Sequence, residues 1–257
     1  MKRGLFKAEA IILNSLDYGE SDRILTFYTL EHGKIRGIAK GARRSRKRFV
    51  GNLEPMSHID LIFFHTEKSE LMRVEDAHLI ESFPNLKVDI DRLSRGCYLI
   101  ELVSEMTREG QASPPVFQLL SGFLKVLDNG GDLDVFTRFF EIRLLAVLGY
   151  LPHLAGCVVC KNRPDEPLKK FSSERGGIVC RSCGIGVPGL VPVSSGTAGL
   201  LAMAAKLDLD KLSRLKVSQA FIDESERLLY DFIKFQIGKE LKTKRFLDKM
   251  RSASVRA

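Results

Sequence analysis

Lys34–Ile–Arg–Gly–Ile–Ala–Lys40 alternates charged with apolar side chains. A period of two places every second side chain on one face, so this stretch predicts a strand with one buried and one wet side. Its neighbours read the same way. Ala10–Leu13 is a short apolar run and Asp17–Glu20 a turn signal. Ser21 to Leu30 then carries β-branched and aromatic residues up to the turn at His32–Gly33. Ile59–Phe64 and Leu71–Ile80 supply two further strands, with Lys68–Ser69 in their connection. Such a run of short strands implies a small closed sheet, and both OB-fold and SH3-like barrels fit.

The same strand opens the most cationic segment of the chain. Lys34, Arg36, Lys40, Arg43, Arg44, Arg46, Lys47 and Arg48 place eight cations within 15 residues, with no acid among them. Charge is uneven along the chain. Residues 1–50 hold 12 Lys and Arg against 5 Asp and Glu, and residues 234–257 hold 8 against 2, while the middle is mildly acidic. Basic ends imply a polyanionic partner. Nucleic acid best rewards a mobile cationic loop, because each neutralised phosphate releases counterions. A solvated basic loop or a contact to anionic lipid are the alternatives. The basic C-terminal end, with Lys242, Lys244 and Arg245, is either a second phosphate-contacting patch or a solvated tail.

Beyond residue 85 the period changes to that of helices. Leu93, Cys97, Ile100 and Val103 form one set, and Val116, Leu119, Leu120, Phe123 and Leu127 a second behind Pro114–Pro115. A third helix capped by Asp132 or Asp134 is apolar on most faces, which predicts a central position. Arg138 and Arg143 interrupt it, either as rim residues reaching past core neighbours or as the wall of a groove for an acidic, hydrophobic peptide. Further helices are expected from Ser194/Ser195 to about Lys206 and from Ser218 to Gly238. Asp208 and Asp210 read as caps rather than as a catalytic pair.

Cys157–Val–Val–Cys160 and Cys180–Arg–Ser–Cys183 bracket a stretch of turn formers and charges. Two C-x-x-C pairs at this spacing predict one structural Zn²⁺, since two knuckles supply a tetrahedron of thiolates and leave no open position for catalysis. Two disulfides or a redox pair are the competing uses. The fifth cysteine, Cys97, reads as an inert core thiol. Catalytic signatures (G-x-S-x-G, Walker A, H-E-x-x-H, G-x-G-x-x-G) do not occur. The expectation is a binding protein rather than an enzyme, without a nucleotide cofactor. Neither a signal peptide nor a membrane helix is expected, so the cytoplasm is the expected compartment.

Asp17–Tyr–Gly–Glu–Ser–Asp–Arg23, Gly33, Ala39–Lys–Gly–Ala–Arg–Arg44 and Asn52–Leu–Glu–Pro55 together resemble the opening of the bacterial RecO family of DNA repair and recombination mediators. Phe140–Leu145, Leu148–Pro152 and the first C-x-x-C resemble that family's central helix and zinc entry, and Leu241–Leu247 its basic end. The resemblance implies an α+β multidomain protein: an N-terminal OB-fold (1–82), an α-helical domain (83–152 and 190–257) and a zinc-ribbon-like module inserted into it (153–189). It also implies binding of single- and double-stranded DNA and annealing of complementary strands in the nucleoid. The partners implied are RecR and the acidic C-terminal tail of single-strand DNA-binding protein, with recombinase loading as the outcome. Phe27, Tyr28 or Phe49 would add base stacking if exposed. A zinc-ribbon transcription or RNA-binding factor, reading nucleic acid through Lys161, Arg163, Lys169, Lys170, Arg175 and Arg181, is the alternative. A nuclease is a more distant one that lacks the carboxylate cluster it would need.

Overall fold

The strand announced by Lys34–Lys40 is β3 of a closed barrel in a computed structural model that describes residues 3–45, 48–49, 51–67, 69–163, 168–212 and 214–254. In chain order the barrel strands are β1 (Gly4–Tyr18), β2 (Asp22–Thr29), β3 (Gly33–Ala39), β4 (His58–His65) and β5 (Met72–Glu81). They close in the order β1-β2-β3-β5-β4, the OB-fold arrangement. β3 and β5 run parallel at Gly37↔Met72, and the other pairs are antiparallel. Their inward side chains (Ala8, Ala10, Leu25, Phe27, Ile35, Leu61, Phe63 and Val74 among them) make one core. Complete burial of a side chain such as Phe27 contributes about 1.5–3 kcal/mol.

β1 is much longer than the Ala10–Leu13 run that announces it. Its first half, Gly4–Ile11, pairs with β4, and Ala10–Tyr18 pairs with β2. A register shift between Ile12 and Asn14 lets one strand serve both neighbours, because a bulge bends the strand toward the second partner. Exposed Leu5 and Lys7 alternate with more buried Phe6 and Ala8, so the extension obeys the same period-two rule.

Contacts group the chain into two compact units, residues 1–129 with 246–257 and residues 130–245. In the first, the barrel is followed by α1 (Pro84–Val88), α2 (Ile90–Met106) and α3 (Pro114–Asp128). Asp89 caps α2 by accepting from the N–H groups of Asp91 and Arg92, and Pro114–Pro115 fills the first turn of α3, where no N–H is needed. The Asp128 carboxylate returns to accept from Leu86 N–H at 2.9 Å, tying α3 to α1.

The second unit begins with α4 (Leu133–Val147), capped by Asp132. It continues through β6 (Leu168–Ser172), β7 (Gly177–Val179) and β8 (Val191–Ser194), which form a small sheet in the order β7-β6-β8. The stretch between the cysteine pairs, expected as turns and charges, therefore contains a hairpin. Its strands are too short and too rich in Lys and Gly to show a period. Helices α5 (Ser195–Ala204), α6 (Leu209–Leu212) and α7 (Gln219–Ile237) follow, and α8 (Lys242–Ser254) runs on from there. Ser194 and Ser218 cap α5 and α7, and Gly238 at φ 76° ends α7 in the left-handed region that glycine adopts without strain.

Candidate nucleic-acid interface and metal centre

The basic loop leaves β3 at Lys40 and is held by the β1–β2 hairpin. Gly41 N–H donates to Asp22 Oδ1 at 2.8 Å, and Arg43 N–H to Ser21 O at 3.0 Å. The Gly41 N–H, followed by the Ser21 hydroxyl, holds the Asp22 carboxyl below its ordinary pKa, so this anchor persists wherever the carboxylate is ionised.

The loop has no acid of its own, but the fold brings acids to it. Asp17 lies 3.5 Å from Arg43 Nε and 3.3 Å from Arg23 Nε; Glu54 lies 3.0 Å from Arg23 Nη1, and Glu20 lies 3.4 Å from Arg44 Nη2. Exposed pairs of this kind are worth about 0–1 kcal/mol and exchange readily for phosphate. Arg48 donates to the carbonyls of Lys40 and Glu75 and stacks over the Phe49 ring, whose own side chain is buried. Arg36 and Lys40 are exposed. Arg46 and Lys47 lie outside the described residues.

Two cations expected at the interface have structural partners instead. Lys34 Nζ donates to Ser104 O and, at 2.6 Å, to Thr107 O, so it serves the carbonyls that α2 leaves unpaired at its C-terminus. We expect Lys34→Ala to lower stability by about 2–3 kcal/mol, in keeping with lost charge-assisted bonds. Thermal melting should show this while the salt dependence of nucleic-acid binding stays unchanged. A smaller salt slope at unaltered melting temperature would assign Lys34 to phosphate. Lys244, at the start of α8, is 5% exposed. It pairs with Glu226 at 3.2 Å and lies over the Tyr230 ring. Its neighbours Lys242 and Arg245 are exposed, and Arg245 Nε pairs with Glu240 at 2.7 Å.

Arg138 and Arg143 are likewise engaged within their own unit. Arg138 is buried and pairs with fully buried Glu141 at 3.1 Å, one turn along α4, so it is not a rim residue. Arg143 Nη1 donates to Leu207 O just beyond α5, and burial holds its pKa below the ordinary arginine value. The stacking candidates are inside as well: Phe27 is 1%, Tyr28 0% and Phe49 5% exposed. Phe27 and Phe49 fill the barrel core, whereas Tyr28 reaches toward Ser113 O. A shift of one residue in register exchanges the two faces of a strand, and aromatic content alone does not fix that register. Cys97 is half-buried, and burial, followed by Glu101, pushes its thiol up.

The four cysteines of the second unit converge. Sγ atoms of Cys157, Cys160, Cys180 and Cys183 all lie within 4.8 Å of one another, and Cys160 and Cys180 are 3.7 Å apart. A tetrahedron with metal–sulfur bonds of about 2.3 Å has edges of about 3.8 Å, so the spacing suits a metal ion. All four are free thiols rather than disulfides.

The knuckles are built for thiolate. Burial opposes ionisation of Cys157, yet N–H groups of Cys160, Cys180 and Val159 hold its thiol down to about 6. Cys183 is pushed up to about 12, first by its hydrogen bond to Cys180, then by burial and by the remaining thiols. Four sulfurs this close ionise together only around a cation. Backbone closes each knuckle: Lys161 N–H donates to Cys157 O and Gly184 N–H to Cys180 O, both at 2.9 Å. β7 braces the first knuckle, since Val158 N–H donates to Ile178 O at 2.8 Å. Gly177 permits this approach, because a Cβ there would stand 2.6 Å from His153 O.

Comparison with known proteins covers both units. Residues 1–83 match the family described as Recombination protein O N terminal, and residues 87–245 match Recombination protein O C terminal. The DNA repair protein RecO of Syntrophus aciditrophicus is 38% identical over 252 residues, spanning 96% of this chain and 97% of that protein. Those of Pelotomaculum thermopropionicum and Anaeromyxobacter sp. strain K are 34% identical over 249 residues and 32% over 244, again across nearly their full lengths. With both family matches in chain order, on a closed N-terminal barrel and a helical unit bearing a four-cysteine centre, the chain belongs to the recombination protein O (RecO) family.

Proposed function

We propose that this protein is a DNA repair and recombination mediator that binds single- and double-stranded DNA and anneals complementary strands without a nucleotide cofactor. In this role it helps load a recombinase onto DNA coated by single-strand DNA-binding protein. The observation that carries the reading is the cationic loop of residues 40–48 rooted in a closed barrel, in a chain related over its whole length to proteins named DNA repair protein RecO. Two strands repel through their phosphates. Arg36, Lys40, Arg43, Arg44, Arg46, Lys47 and Arg48 would neutralise them and hold them close enough to pair, with Lys242 and Arg245 as a second patch. Such binding is tolerant of sequence and strongly dependent on salt.

One structural Zn²⁺ held by Cys157, Cys160, Cys180 and Cys183 completes the reading. It would clamp the β6–β8 module, and four protein ligands leave it no position for substrate. RecR and the tail of single-strand DNA-binding protein are the proposed protein partners, in the bacterial cytoplasm at the nucleoid. No helix among the described residues is long and apolar enough to cross a membrane. We retain 1–82, 83–152 with 190–257, and 153–189 as the proposed functional division.

The test is annealing of two complementary oligonucleotides without ATP, comparing wild type with Arg43, Arg44, Arg46, Lys47 and Arg48 all changed to Ala. Wild type should accelerate annealing, and the variant should lose at least about tenfold in single-strand affinity at low salt together with part of its salt slope. Binding without annealing would reject the mediator role. Absence of binding at low salt would reject the charge argument itself.

A further inference from the structure

The four cysteines of the metal centre differ in their access to solvent. Cys157 is fully buried, Cys180 and Cys183 are half-buried, and Cys160 is exposed. An oxidant arriving from solution therefore meets Cys160 first. Across the centre, in the other knuckle, Cys180 Sγ stands 3.7 Å from Cys160 Sγ. A disulfide needs about 2.05 Å between sulfurs, so less than about 2 Å separates the pair from bonding distance.

Hydrogen bonds of the backbone, independent of the sulfurs, hold this pair in place. Val158 N–H donates to Ile178 O at 2.8 Å, and each of those residues precedes its cysteine by two positions. Ile178 N–H donates to His153 O and His153 N–H to Gly176 O, both at 2.9 Å, which adds a parallel bridge beside the first knuckle. Within that knuckle, Cys157 N–H donates to Asn162 O at 2.8 Å and Lys161 N–H returns to Cys157 O. The two chain segments that carry Cys160 and Cys180 are thus fastened to each other next to the sulfurs.

We propose that Cys160 and Cys180 form a reversible oxidation site whose disulfide empties the metal centre, an inference that rests on the structural zinc of the reading above. The oxidant is a hypohalous acid, a two-electron oxidant of thiolates. Cys160 thiolate attacks the chlorine of hypochlorous acid; an S–Cl bond forms, the Cl–O bond breaks and hydroxide leaves. Cys180 thiolate then attacks the Cys160 sulfur, forming S–S and expelling chloride. The two thiolates lose two electrons and chlorine gains them. Cys157 and Cys183 remain as two ligands where a tetrahedron needs four, so the site no longer retains its ion. The choice of pair decides what is left behind. A Cys157–Cys160 disulfide would leave the knuckles unconnected, whereas Cys160–Cys180 closes the loop of residues 161–179 and limits how far the module opens. Reduction then rebuilds the centre from knuckles that are still joined. Cys97 lies in the other contact unit and takes no part.

The test treats the zinc-loaded full chain with about five equivalents of hypochlorous acid, and reads both zinc release to a chromogenic chelator and a non-reducing tryptic map. Trypsin cuts after Arg143, Lys161, Arg175 and Arg181, so Cys157 and Cys160 share peptide 144–161 while Cys180 is the one cysteine of 176–181. Treatment should release at least about nine tenths of the zinc and link 144–161 to 176–181, with fragmentation placing the bond on Cys160. Dithiothreitol with added zinc should then restore the bound metal. A disulfide confined to 144–161, or one joining Cys180 to Cys183, would overturn the pair. Sulfinic or sulfonic acid at Cys160, with metal binding that dithiothreitol does not restore, would overturn the reversible site. So would zinc that stays bound while glutathione in the same solution is oxidised. Failure of the zinc reading looks different, since the untreated protein would then carry no zinc to release.

Discussion

Cys180→Ser should reduce bound zinc from one per chain to nearly none and open the segment between the two knuckles to proteases. The reason is size. β6, β7 and β8 hold 5, 3 and 4 residues, far too little sheet to fold by its own hydrogen bonds. Its apolar anchors are few: Phe171, Ile178, Val179 and Val193 are buried, and Phe171 meets the Phe232 ring of α7 edge to face at 5.6 Å. Zinc binding to small thiolate modules stabilises their folded form by roughly 10–16 kcal/mol, so its loss exceeds what those contacts supply. Metal analysis and limited proteolysis, read on the same preparation, test this. Single-strand binding at low salt should stay within about twofold of wild type, because the loop cations proposed to make it lie in the other contact unit. A metal-free protein that keeps its protease resistance would show that the centre does not hold the module. A metal-free protein that stays folded but no longer binds DNA would shift the nucleic-acid contact toward the zinc module.

The parts legible from sequence are those set by local chemistry. Period-two alternation at Lys34–Lys40 marks a barrel strand, Asp132, Ser194 and Ser218 mark helix starts, and the spacing of four cysteines marks a metal-binding cluster. What escaped depends on chain segments that meet only on folding. Lys34 and the carbonyl of Ser104 are 70 residues apart in sequence, so nothing nearby shows that the ammonium closes a helix. Arg44 and Glu20 meet across 24 residues, and a loop that is purely basic in sequence thereby acquires acids in space. Buried Lys244 illustrates the same limit: it follows the charge pattern of a surface residue, and only Glu226, placed by the fold, makes its burial tolerable. Basic charge in a sequence bounds the size of a polyanion site, and the exposure of each cation and the strength of its own partners decide which of them can serve it.

Gly33→Ala should cost at least about 3 kcal/mol, whereas Gly19→Ala should cost about 1–2 kcal/mol, although both glycines occupy the left-handed region. Gly33 has φ +66° and Gly19 φ +59°, so the conformational penalty of a Cβ is nearly the same at each. Space separates them. At Gly19, in the β1–β2 hairpin, a Cβ would meet nothing within 4 Å. At Gly33, in the β2–β3 turn, it would stand 2.1 Å from Gln111 O and 2.4 Å from the carbonyl carbon. Those are backbone atoms of the segment after α2, which Gly110 N–H ties to Lys34 O at 2.9 Å and Lys34 Nζ ties to Thr107 O. A Cβ therefore cannot be accommodated by turning a side chain. It must push the segment off the barrel and break those bonds with it. For a chain of this length, about 1 kcal/mol corresponds to roughly 2–4 °C of melting temperature, so the two variants should separate clearly in a thermal scan. Equal shifts would mean that φ alone matters at both turns and that the segment after α2 does not press on the barrel. A larger shift for Gly33→Ala, together with faster amide exchange at Gly110, would show that this one glycine lets helix α2 dock on the strand that leads into the cationic loop.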